Sequence, residues 1–118
     1  MDPNSSVVQN LLSQGALVDK NGSLYNSELL KECKIFVLYF SAHWCPPCRQ
    51  FTPILAEQFR IYRQTSSKAM VIFVSGDRSF QEQLNYMREV HGDWPGIYLN
   101  IWDMYTVFKL KFPIRFFK

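Results

Sequence analysis

An α/β domain with a βαβ unit at its centre is the fold class this sequence predicts, and three observations predict it. Two apolar, β-rich runs about thirty residues apart, 35–40 and 70–74, bracket a helical stripe. A second helical stripe follows the second run. The chain of 118 residues, 47% apolar and 19% charged, carries enough apolar surface for one core and shows no repeat or linker that would divide it.

The elements follow in order. Residues 1–10 are expected to be loose, with a single domain over 11–118. Leu17-Val18-Asp19-Lys20-Asn21-Gly22-Ser23-Leu24 sets Asn-Gly between two apolar pieces, the preferred chemistry of a tight hairpin because both residues tolerate positive φ. A helical turn is expected around Ser27 to Glu32. Ile35 to Phe40 and Met70 to Val74 are continuous apolar runs, as in parallel strands buried on both faces, and the link between them predicts a right-handed crossover. Between them Phe51, Ile54, Leu55, Phe59 and Tyr62 recur at helical spacing and predict the buried stripe of a long helix. Ser79 and Glu82 have capping-box spacing ahead of Phe80, Leu84, Met87 and Val90, a second amphipathic helix ending at His91-Gly92. From Phe108 to Phe117 the apolar period becomes two, so the tail predicts one strand, with Pro113 marking an edge or a new start.

Composition excludes several classes. Extended disorder and a disulfide-stapled secreted scaffold do not fit this apolar fraction and three cysteines. The first residues carry neither a basic region nor an apolar run, and the longest apolar runs reach only six residues; neither a signal peptide nor a membrane span is expected. The cysteine usage suits a cytoplasmic or nuclear domain, and that location is expected. Four basic residues, Lys109, Lys111, Arg115 and Lys118, stand in an acid-free tail, while the other nine face ten acidic ones. Interleaved with aromatics, they suit a solvated strand face, and no nucleic-acid partner is expected.

Trp44-Cys45-Pro46-Pro47-Cys48-Arg49 falls just beyond the first buried strand and at the start of the long helix. A dithiol there is a redox address. A sulfur at a helix N-terminus sees the positive end of the macrodipole, so Cys45 should ionise readily, and thiolate is the attacking species. Pro46 and Pro47 preset φ where missing N–H groups cost little and hold the sulfurs in a short loop. Cys48, one turn further in, is placed to resolve the mixed disulfide that Cys45 forms. Half of a zinc site, completed by His43, Cys33 and His91, is the alternative for this pair; proline between the cysteines and the lack of a second closely spaced ligand pair favour redox chemistry without a metal. Trp44 suits an apolar docking rim as well as plain packing. His43 and Arg49 suit a nearby cation as well as ordinary exposed residues, and Cys33 is expected to be a small hydrophobe.

Tyr39-Phe40-Ser41-Ala42, the dithiol segment and Phe51-Thr52-Pro53 together resemble the tryparedoxin and nucleoredoxin group of the thioredoxin superfamily, and Val74 to Ser79 with Met87 to Trp94 are similar to nucleoredoxin-like proteins. The resemblance covers about residues 34–96, with 97–118 divergent. It implies a thioredoxin-like three-layer α/β fold, a central mixed sheet flanked by helices, here shortened at the C-terminus. It also implies disulfide-reductase activity with Cys45 as nucleophile and Cys48 as resolving thiol, and no cofactor beyond that redox-active pair. Disulfide-containing proteins would be the partners, with an external dithiol donor. Where thioredoxins carry a buried aspartate six residues before the nucleophile, this sequence has Tyr39. Pro113 is the candidate for the family's cis-proline opposite the dithiol. The family's closing helix covers one face of the central strands, so 35–40 and 70–74 are expected to stand partly uncovered, with self-association, partner binding there or only marginal stability. A shortened binding module that docks through Trp44 and Trp94 with little turnover is the competing function.

Overall fold

The computed structural model describes residues 16–98 and the strand Ile114–Phe117. The loose start expected over 1–10 lies outside the described residues. The elements are β1 (Leu17–Val18), a 3-10 turn (Ser27–Leu30), β2 (Ile35–Ser41), α1 (Pro46–Arg63), β3 (Ala69–Ser75), α2 (Phe80–Val90), β4 (Gly96–Ile97) and β5 (Ile114–Phe117). They build a mixed five-stranded sheet in the order β1-β4-β3-β2-β5. The two apolar runs are the central pair, β2 parallel to β3 with Tyr39 opposite Phe73; β4 joins β3 in parallel, β1 joins β4 antiparallel, and β5 joins β2 antiparallel.

The hairpin forms, with a different turn from the one Asn-Gly suggests. Gly22 alone has positive φ, at 83°, while Asn21 does not. The Gly22 N–H donates to the Asp19 carbonyl and the Asp19 N–H to the Ser23 carbonyl. This is the three-residue loop in which a turn is followed by a left-handed glycine. The Asp19 side chain makes the longer loop preferable, since its Oδ1 accepts from the Asn21 and Ser23 amides at 2.8 and 3.1 Å.

Both helices lie on one face of the sheet. Tyr39 and Ser41, two apart on β2 and therefore on the same side, hydrogen-bond to Thr52 of α1 and Tyr86 of α2. The alternating residues Phe36, Leu38 and Phe40, with Met70, Ile72 and Val74, point to the other face and are buried as well. The expected uncovered sheet is thus not found: within 35–40 and 70–74 only Ile35 and Val37 are no more than half-buried, and the rest are buried.

What is left open is a side of α1. Its buried face runs through Thr52, Leu55, Ala56 and Phe59, whereas Phe51, Ile54 and Tyr62, expected to be core, are 40%, 59% and 37% exposed. Two stripes at helical spacing were available, and the one containing a threonine faces the sheet because partners within the core satisfy its hydroxyl. In α2 the cap is as expected: the Ser79 hydroxyl accepts from the Glu82 N–H. The returning carboxylate bonds one residue earlier, to the Arg78 N–H at 3.2 Å. At the other end Gly92 is not the left-handed cap its position suggests; a Cβ there would come within 2.5 Å of the Trp94 ring, so close approach explains the glycine. The short strand β4 was not foreseen. Of the strand expected from Phe108 onward, Ile114–Phe117 is formed at the sheet edge, and 108–113 lie outside the described residues.

Candidate active site

Strand β2 delivers its C-terminal end into a four-residue loop, where the Cys45 N–H donates to the Ala42 carbonyl at 3.2 Å. Cys45 is the N-cap of α1, Pro46 and Pro47 are its first two residues, and the Cys45 carbonyl accepts from the Arg49 N–H at 3.0 Å. Cys45 and Cys48 are joined as a disulfide, with 5.2 Å between their Cα atoms. The prolines leave Cys48 as the first residue of the helix with an amide hydrogen, which therefore stands next to the sulfur pair. Both cysteines are half-buried, so exposure does not rank them; position at the helix N-terminus does.

The loop before the dithiol is braced by the end of β3. Trp44, 54% exposed, donates from Nε1 to the Gly76 carbonyl at 2.9 Å, and the Gly76 N–H donates to the Ser41 carbonyl. The buried Asp77 accepts from the His43 N–H at 2.6 Å through Oδ1 and from the Ser75 hydroxyl at 2.6 Å through Oδ2. Burial raises the Asp77 carboxyl above its ordinary range, partly offset by the Ser75 and His43 hydrogen bonds. Asp77 was not singled out from sequence, although its place two residues past a buried strand, at the same edge as the dithiol, was visible.

The other candidates separate clearly. The His43 ring lies beside Glu89, Nε2 to Oε2 3.0 Å. Arg49 is exposed. Cys33 sits before the opposite end of β2, half-buried, its Sγ against the Ser67 and Leu29 carbonyls at 3.3 and 3.8 Å, with burial raising its thiol. The His91 ring packs edge-on against Phe73 and Tyr86, and its Nδ1 accepts from Trp94 Nε1 at 2.9 Å. Burial lowers its pKa to about 3. Among the described residues no three metal-ligating side chains converge. Pro113 lies outside the described residues.

Beneath the dithiol is a cluster of hydroxyls. Thr52 Oγ1 donates to the Cys48 carbonyl at 2.7 Å and also meets the Tyr39 hydroxyl at 2.8 Å and the Tyr86 hydroxyl. Tyr86 in turn meets the Ser41 hydroxyl at 2.7 Å. Tyr39 thus contributes a phenol from the position where a carboxylate would have been a base. Along the flank of α1 runs a groove of about 580 Å³ lined by Tyr25, Pro53, Phe59, Arg63, His91 and Asp93, which includes neither cysteine of the pair.

Residues 32–112 match the thioredoxin-like family. The chain is 42% identical over 76 residues to nucleoredoxin from Bos taurus, which covers 64% of the chain and 17% of that relative. The chain therefore spans about a sixth of the length of such relatives. In structure it is similar to a thioredoxin from Wuchereria bancrofti, with a TM-score of 0.70 and 37% identity over 87% of this chain and 74% of that one. It is also similar to tryparedoxin from Trypanosoma brucei, with a TM-score of 0.60 and 32% identity over 80% and 61%.

Proposed function

The chain belongs to the thioredoxin-like family, and from that premise we propose that it is a dithiol–disulfide oxidoreductase that reduces protein disulfides, in a nucleoredoxin-like role in redox regulation. The observation that carries this reading is the Cys45–Cys48 disulfide closed across the first turn of α1, at the end of a central strand.

The reaction begins with both thiols reduced. The Cys45 thiolate attacks one sulfur of a substrate disulfide; a bond forms between Cys45 and that sulfur, and the other substrate sulfur leaves as a thiolate that takes a proton from water. The Cys48 thiolate then attacks Cys45 Sγ, and the second substrate sulfur leaves and is protonated. The substrate gains two electrons and two protons, and the protein ends as the Cys45–Cys48 disulfide. A second dithiol, acting as electron donor, returns it to the reduced form by the same exchange in reverse.

Each neighbour has a part in this proposal. Pro46 and Pro47 hold the loop short, the exposed Trp44 forms an apolar rim for the substrate, and Arg49 offers positive charge beside a thiolate. Pro113 is proposed as the counterpart of the family's cis-proline, on the resemblance alone. No metal or bound cofactor takes part, and the chain works in the cytoplasm or nucleus.

The test is reduction of insulin disulfides with dithiothreitol as donor. Turnover by the protein and its loss in Cys45→Ser support the oxidoreductase. The exposed apolar residues Trp44, Phe51 and Ile54 favour one other reading, a docking module. Partner binding retained in a Cys45→Ser, Cys48→Ser double variant, without turnover by the parent protein, would establish it instead.

A further inference from the structure

We propose that Thr52 is the positioning residue for the resolving cysteine, gripping the Cys48 carbonyl from a buried hydroxyl cluster that ties α1 to β2 and α2. The inference rests on the two-step exchange above, since it assigns Thr52 to its second step.

The proton directions in the cluster follow from chemistry. The Cys48 carbonyl can only accept, and Thr52 Oγ1 lies 2.7 Å from it, so the single threonine hydrogen points there. Its oxygen then accepts from both Tyr39 and Tyr86, and Tyr86, having donated its hydrogen, accepts from Ser41. One hydroxyl therefore uses its donor and both lone pairs, with all its partners inside the protein. The phenols come from different elements, β2 and α2, so the Cys48 carbonyl is referenced to the sheet and to the second helix at once.

The helix needs such a tie at this point. Pro53 lies inside α1 and has no N–H, so the Arg49 carbonyl loses the hydrogen bond that would join the first turn to the next. The turn bearing Cys48 is thereby less firmly joined to the rest of its helix, and the Thr52 hydroxyl, which Tyr39 and Tyr86 hold from β2 and α2, ties that turn to elements outside the helix. Resolution requires Cys48 to meet Cys45 Sγ along the S–S axis, and small displacements of a positioned group reduce such a rate steeply. The first attack depends on Cys45, which lies at the cap, beyond the carbonyl that Thr52 holds.

In a Cys33→Ser background, which removes the third thiol, the two steps can be timed separately with the aromatic disulfide 5,5′-dithiobis(2-nitrobenzoate), which releases one coloured thiolate on attack and a second on resolution. Thr52→Val, which keeps the shape and removes the hydroxyl, should slow the second release roughly tenfold, the effect of losing about one hydrogen bond's positioning. In a Cys48→Ser background, where only the first release occurs, the same change should alter its rate by less than about twofold. Thr52→Ser should restore the second release. Tyr39→Phe with Tyr86→Phe, which leaves the threonine in place but unsupported, should slow the second release in the same sense and serves if the valine variant does not fold. Equal slowing of both releases, an unchanged second release, or failure of serine to rescue would overturn the proposal. Failure of the insulin assay would instead overturn the oxidoreductase reading, because the aromatic disulfide reports both steps without a protein substrate.

Discussion

Strand β2 has a cysteine site beyond each end, and the two ends differ in helix position and in the partner each sulfur has. Past its C-terminal end Cys45 caps an 18-residue helix, and its partner Cys48 follows one turn on. Before its N-terminal end Cys33 meets two backbone carbonyls, which can only accept from its S–H, and burial raises its thiol further. One site sets sulfur at the positive end of a helix; at the other, burial outweighs the nearby Arg63 guanidinium, and two carbonyl oxygens face the thiol. The proposed exchange thus falls at the end of the strand where the helix starts, as the general rule for sites at the carboxyl ends of parallel strands expects.

The largest expected effect breaks this comparison outright. Cys45→Ser should reduce insulin-disulfide turnover to background, whereas Cys33→Ser should leave it within about twofold, since that thiol touches no part of the exchange. A Cys33→Ser variant as inactive as Cys45→Ser would merge the two ends. Next in size is alkylation of the reduced protein with iodoacetamide at mildly acidic pH: peptide mapping should find Cys45 modified first, because it stands at the helix N-terminus. Preferential labelling of Cys33 or Cys48 contradicts that order.

A smaller effect concerns titration, because the dithiol end also holds two groups that burial perturbs in opposite senses. His91, lowered from 6.5 to about 3, is neutral in the fold but takes up a proton when unfolded, so its contribution to stability is present above pH 6.5 and is lost as pH falls toward 3. Asp77, raised above 3.8, keeps its proton longer in the fold than in the unfolded chain, so its contribution is lost as pH rises through the raised value. Over the pH range where both act the slopes oppose. Asp77→Asn should expose the His91 slope, up to about 1.4 kcal/mol per pH unit, in denaturant melts between about pH 6 and 4; His91→Gln should flatten it. Identical pH profiles for the parent and both variants would show that neither group titrates differently on folding.

The smallest effect tests the brace on the dithiol loop. Trp44→Phe removes the N–H that reaches the Gly76 carbonyl and keeps the ring, so it should lower thermal stability by about 1 kcal/mol while sparing alkylation of Cys45. An unchanged melting temperature would show that the bond holds nothing in place.

How much of this was legible in the sequence differs between the same two regions. The dithiol and both central strands were legible because Cys-Pro-Pro-Cys and two long apolar runs have few alternative structures, and the strands pair in parallel as expected. The buried face of α1 was not, since Phe51 and Ile54 match helical spacing as well as Thr52 and Phe59 do. Choosing between them required knowing that Tyr39 and Tyr86 would converge on a threonine hydroxyl, contacts of 13 and 34 residues' separation that no local pattern encodes. Asp77 was missed for the same reason: its importance lies in a backbone amide 34 positions earlier. Strand β4, only two residues long, carries no periodicity to detect.

The central claim is that Cys45 attacks and Cys48 resolves. It is tested most directly by reducing the Cys48→Ser protein, mixing it with a disulfide-bonded protein substrate, and mapping the trapped adduct by mass spectrometry after proteolysis. The account predicts a stable mixed disulfide on Cys45, dissolved by added dithiothreitol, with Cys33 free. An adduct on Cys33, or none on any cysteine while the parent protein turns over insulin, would contradict it.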